Sequence, residues 1–185
     1  MYFNFAFFEP VAASYLQHSL GLSEVYIGVY FALFPICYTI GSLTYQFVPS
    51  QIARRHVIMA GTLFYAIANI FSGPSLVLGL PLSLTLMFIG QLMLGYCGAL
   101  MIVPSMPEMI DSLKYMYPGQ ENEVGLQSAG IFNSALATGQ ILGPIYATSS
   151  VQAVGFRYSC DVQAIAYFIF FVLYVIYTWG SSQKL

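Results

Sequence analysis

One carboxylate, Glu9, sits inside an apolar run at the start of this 185-residue chain and is followed at once by Pro10. A charged side chain at bilayer depth is costly, so such groups face a polar interior and serve function. Proline donates no backbone hydrogen bond and frees a carbonyl one turn earlier. A carboxyl beside a locally opened helix can exchange a proton or hold a cation. The plain alternative puts the first ten residues outside the membrane, with Glu9 solvated at a frayed end.

Amides form the second candidate set. Asn133 and Gln140 share the stripe Gly130, Asn133, Ala137, Gln140, Pro144, whose spacing keeps all five on one side of a helix. Small and polar residues on one stripe mark a packed or water-facing surface, through either interhelical hydrogen bonds or substrate contact. Gln91 is similar, flanked by Gly90, Gly95 and Gly98. Gly139 and Gly143 form a small-xxx-small pair closed by Pro144, which predicts close helix contact beside a kink. Tyr26, Tyr30, Cys37, Gly41 and Thr44 make a further stripe. Aromatic side chains there could cage an organic cation, although membrane-belt anchoring and packing account for most of the 15 tyrosines.

Several chemistries find no support. A serine nucleophile needs a base within hydrogen-bond reach; Ser128 is the candidate, but His18 and His56 fall near segment ends on expected opposite faces. We expect no enzyme activity. The three cysteines show no zinc spacing, no histidine pair suits a metal, and nothing in the pattern calls for a cofactor. Five basic residues, scattered as Arg54, Arg55, Lys114, Arg157 and Lys184, leave no nucleic-acid footprint.

The elements that must position these groups are membrane helices. Charged residues make up 6% of the chain against 58% hydrophobic, and residues 57–107 carry no charge. A soluble domain would expose an apolar patch far larger than such domains carry. A helix crosses the hydrocarbon in about 20 residues, so the run must fold back, and Ser72 to Pro81 supplies the breakers. The fold class is all-α and polytopic, a single unit with segments at about Tyr2 to Leu20, Val25 to Val48, Val57 to Val77, Leu82 to Val103, Val124 to Thr148 and Val162 to Trp179. The longest expected connection is Pro104 to Glu123, and another runs from Gln152 to Asp161. The opening Met1-Tyr2-Phe3-Asn4 lacks the basic start of a signal peptide. Arg54, Arg55, Lys114 and Lys184 fall on one side and Arg157 on the other, which predicts a cytoplasmic C-terminus.

Two stretches resemble the C-terminal half of a major facilitator superfamily transporter, in its vesicular amine and polyamine branch. The first is Phe7-Phe8-Glu9-Pro10, followed by Leu20-Gly21-Leu22-Ser23 and Tyr26-Ile27-Gly28. The second runs from Met101 to Ile110 and includes Pro104, Pro107 and Glu108. It resumes at Gly125-Leu126 and Ser128-Ala129-Gly130, and ends in Gly139-Gln140-Ile141-Leu142-Gly143-Pro144, before Gly155-Phe156. The ordered combination covers nearly the whole chain.

The resemblance implies half of a twelve-helix fold and proton-coupled exchange of small organic cations by alternating access. It implies a vesicular, endomembrane or plasma-membrane location, with the bilayer, an organic cation and protons as partners. An N-terminal half or a second copy would complete the site. Glu9 and Gln91 would share the cavity, and Pro104 to Asp111 would form the cytoplasmic gate. Gly139 to Pro144 resembles an antiporter-type glycine-proline motif. Two departures stand out: Tyr45 occupies a position where the family's loop signature has an acid, and no acid lies between Leu82 and Pro107. The competing expectation is a non-transporting membrane interaction or regulatory protein that keeps the half-fold.

Overall fold

The computed structural model describes residues 1–117 and 119–182. Lys184, counted above for orientation, lies outside them. Six helices follow in order: α1 (Tyr2–Leu20), α2 (Glu24–Tyr45), α3 (Arg54–Ser72), α4 (Leu84–Met116), α5 (Glu121–Val154) and α6 (Phe156–Ser182), with no strand among the described residues. A helix overlaps each of the six expected segments, although residues 46–48, 73–77 and 82–83 lie outside the helices. By length and composition, the stretches Glu24–Tyr45, Leu84–Lys114 and Phe156–Trp179 are apolar enough to cross a membrane on their own. The other three helices are diluted: α3 opens on Arg54-Arg55-His56, α1 carries Glu9 and a polar end, and α5 is rich in serine, threonine and glycine.

Two expected connections are shorter than the sequence suggests. Helix α4 runs straight through Pro104 and Pro107 to Met116, so the Pro104–Glu123 link shrinks to residues 117–120. Proline is tolerated inside a membrane helix when side chains and neighbours take over the freed backbone groups. Here Pro104 is packed at the helix interface and almost fully buried. The Gln152–Asp161 link also disappears. Helix α5 continues to Val154, Gly155 turns the chain with φ 86°, and α6 begins at Phe156. Asp161 therefore sits inside a helix, 6% exposed.

Packing is set by small residues. A Cβ added at Gly143 would lie 2.6 Å from the Phe3 carbonyl oxygen and 2.7 Å from Ala6 Cβ, so α5 rides directly on α1. A Cβ added at Gly95 would run into the Phe34 carbonyl, so α4 packs directly on α2. One added at Gly90 would run into the Ser72 backbone, so α4 packs directly on α3. Membrane helices associate by such close approach because the lipid offers no hydrophobic drive between them. Helix α1 thus pairs chiefly with α5, α2 with α4, and α3 with both α4 and α6. Phe7, Leu16, Tyr30, Tyr65, Met87 and Leu94 fill the centre.

Candidate functional site

Glu9 projects from α1 at the bundle surface, beside an equally exposed Pro10. The neighbouring surface comes from α5, where Asn133 and Gln140 are exposed as well. Helices α1 and α5 run parallel, because Phe3 meets Gly139 and Gly143 while Phe7, one turn on, meets Tyr146 at 6.0 Å between rings. At about 1.5 Å per residue, this register places Glu9 above Tyr146, roughly 13 Å along the axis from Gln140 and farther from Asn133. The three polar groups therefore belong to one helix pair but spread along it. A small cation could not touch all three at once.

Gln91 has a different environment. It is 1% exposed, next to Gly90 where α4 presses on α3, and its Oε1 has no hydrogen-bond partner. Glu9 is on the open surface and Gln91 is enclosed between helices, so these residues do not line one space within this unit. The stripe on α2 also divides. Tyr30 is fully buried with its ring against Phe31 and Phe88, whereas Tyr26 is 59% exposed. These two tyrosines form no cage. Ser128 Oγ is buried and unpartnered, lacking the base that nucleophilic chemistry requires.

Two of the residues expected at the gate form ion pairs. Glu108 and Asp111, on the extension of α4, face the start of α3: Arg55 Nε donates to Glu108 Oε1 at 3.1 Å, and Arg54 Nη1 pairs with Asp111 Oδ2. The Asp111 carboxylate, as the main cause, holds the Arg54 guanidinium above its ordinary pKa. An open cleft of about 660 Å³ lies here, between residues Tyr45 to His56 and the two acids. Pro107, one residue before Glu108, is half-buried. The carboxylates that pair with Arg54 and Arg55 come from α4.

At the other end of α3 lies a second polar assembly, which the sequence reading missed. Arg157 Nε donates to the Pro74 carbonyl and Arg157 Nη2 to the Leu80 carbonyl, both at 2.6 Å. Asp161 Oδ2 accepts the Leu76 and Val77 backbone N–H groups at 3.2 and 3.4 Å. The first turns of α6 thereby tie down the turn between α3 and α4. An acid four residues after a base, at the edge of an apolar run, was the available signal. Asn4 and Asn69 were also missed. Asn4 Nδ2 donates to Asn69 Oδ1 at 2.8 Å, with both residues fully buried. An asparagine deep in an apolar helix is the ordinary sign of an interhelical bond, and Asn69 stands inside the charge-free run.

Comparison with known proteins agrees with this architecture. A family model described as Major Facilitator Superfamily matches residues 1–184. The chain is 24% identical over 165 residues to the MFS-type transporter SLC18B1 of Mus musculus, covering 87% of this chain and 36% of that protein. The same figures hold for MFS-type transporter SLC18B1 of Rattus norvegicus. The chain thus spans about a third of the length of the curated relatives it matches. No solved structure matches it.

Proposed function

The chain belongs to the major facilitator superfamily, and we infer that it forms the C-terminal six-helix half of a proton-coupled exchanger of small organic cations. The observation that carries this reading is Glu9, an exposed carboxylate on α1 beside Pro10, in a helix otherwise devoted to membrane packing. In this superfamily the substrate site lies near the bilayer midplane between two six-helix halves. A carboxylate on an open face is suited to such a site, because the opposing half removes it from lipid and controls its access to water. Protonation of Glu9 from one side and release to the other would alternate with binding of a cationic amine. The vesicular amine and polyamine branch is the lineage that the motifs favour.

In this reading Gln140 and Asn133 line the lower part of the same open face, and Gly139, Gly143 and Pro144 set its helix pair. Gln91 supports α4 from inside. Pro104, Pro107, Glu108 and Asp111 shape the gate at the cytoplasmic end of α3 and α4, and the C-terminus shares that side. The partners are the bilayer, an organic cation, protons, and an N-terminal half or second copy. The activity is transport, with no enzymatic step.

Co-expression with a matching N-terminal half tests the proposal. The pair should show pH-dependent amine uptake in vesicles. Glu9→Gln should abolish uptake while leaving insertion intact, because glutamine keeps shape and hydrogen bonding but exchanges no proton. Unchanged uptake and pH dependence in Glu9→Gln would remove this residue from the mechanism.

A further inference from the structure

We propose that the six helices form two packed bodies, α1–α5 and α2–α3–α4–α6, joined through the core by an Asn4–Asn69 pin about which the α1–α5 pair shears. Two features of the bundle divide along the same line, and the connections between the bodies permit motion.

Close glycine contacts come first. Gly139 and Gly143 bring α5 onto the α1 backbone at Phe3 and onto Ala6. In the larger body Gly41 and Gly95 join α2 to α4, Gly61 and Gly90 join α3 to α4, and Gly73 receives Cys160 of α6. Between the bodies, the glycine approach is Gly98 against the thioether chain of Met1. That contact is with a flexible side chain, which yields where a backbone cannot.

Polar contacts divide in the same way. Arg54 and Arg55 with Asp111 and Glu108, Thr44 with Tyr96, and Arg157 and Asp161 with the α3–α4 turn all lie inside the larger body. The seam instead carries ring contacts: Phe5 on Phe34 at 4.8 Å, Phe8 on Phe156 at 6.0 Å, and Tyr15 on Phe156 at 4.4 Å. Apolar contact is non-directional. Among the described residues, the buried Asn4–Asn69 bond crosses it as a directional contact, held on the α3 side by Asn69 Nδ2 donating to the Tyr65 carbonyl at 2.8 Å.

The chain connections permit motion between the bodies without marking the seam, since the α3–α4 turn inside the larger body also carries a positive-φ glycine, Gly79. Passing from one body to the other, the chain goes through Gly21 between α1 and α2, Gly119 between α4 and α5, and Gly155 between α5 and α6. All three have positive φ, at 61, 88 and 86°, and an added Cβ would meet nothing within 4 Å at any of them. Such positions absorb backbone rotation without steric cost. Hinges of this kind and sliding of packed helices are the usual means of rigid-body motion.

The test uses the full chain in lipid nanodiscs, with spin labels on a non-cysteine amino acid at Ser14, Phe64, Thr148 and Ile169, all exposed. The cross-seam pair Ser14–Phe64 should give a broader distance distribution than Ser14–Thr148 or Phe64–Ile169, which lie within single bodies. Asn4→Ala and Asn69→Ala should each widen the cross-seam distribution at least twofold and leave the other two unchanged, with no further widening in the double variant. Equal widths for all three pairs in the parent chain would overturn the proposal, even if neither variant folds. So would equal widening of all three pairs in either variant.

Discussion

Replacing Gly143 by alanine is the sharpest probe of the packing that carries Glu9. The new Cβ would stand 2.6 Å from the Phe3 carbonyl oxygen and 2.7 Å from Ala6 Cβ, and both belong to the facing helix. Ordinary contact begins near 3.4 Å, so α1 must retreat by about 0.8 Å, or α5 must bend. No flexible side-chain end is available to move aside at that point. Overpacking of this kind costs about 1–3 kcal/mol. Gly130 is the control, since it lies on the same helix with nothing within 4 Å of its added Cβ. Gly130→Ala should be neutral, or stabilising by up to about 1 kcal/mol through helix propensity. The two variants therefore differ in sign. Reversible unfolding by denaturing detergent in mixed micelles reads that difference directly, and loss of α1–α5 contact should appear as faster proteolysis of α1. If Gly143→Ala matches Gly130→Ala in stability, the close approach of α5 to α1 is wrong, and with it the placement of Glu9 beside α5.

The remaining predictions concern the two ends of α3. Asp161→Ala removes the acceptor for two backbone N–H groups, so exchange at Leu76 and Val77 should accelerate on the order of tenfold; unchanged exchange would show that Asp161 does not hold the turn. Asp111→Asn should lower stability by about 1 kcal/mol or less, since the Arg54–Asp111 pair is largely exposed, and high salt should erase the difference; a larger, salt-independent loss would contradict a surface pair. A cysteine at Ser50 should react with an impermeant reagent added from the cytoplasmic side, following the position of Arg54 and Arg55. Reaction from the opposite side alone would reverse the orientation.

Helix number was legible because a charge-free run longer than one bilayer crossing must fold back on itself. Helix ends were less legible for an identifiable reason. Prolines 104 and 107 look like breakers in water, yet α4 continues through both, with Pro104 packed in the helix interface. The α5–α6 junction was hidden because its reversal needs a single residue, Gly155. The Gly139–Gly143 contact followed from spacing alone, since two small residues one turn apart have few other uses. Gln91 was harder to place. Its flanking glycines signalled close contact correctly, but Gly90 presses toward Ser72, which turns that part of α4 into the bundle. A period of 3.6 states which residues share a stripe, and only the packing partner states whether that stripe faces inward.

Exposure explains where the directional contacts fall. Both ion pairs lie at the start of α3, where water screens them and lowers the cost of holding them. In the last turn of α3, where Asn69 is fully buried and a charge would be costly, a neutral amide pair takes over in the Asn4–Asn69 bond. Arg157 and Asp161 bond to the carbonyls and N–H groups of the turn, so they satisfy backbone that no helix could satisfy. The result is a frame, α3 with α4 and α6, that is fixed at both ends. The α1–α5 pair carries Glu9 and is held to that frame by rings and one amide bond. On the proposed transport reading, a helix that brings a carboxylate to water on alternate sides is served by this arrangement: firm contact with one partner helix, and mainly non-directional contact with the rest.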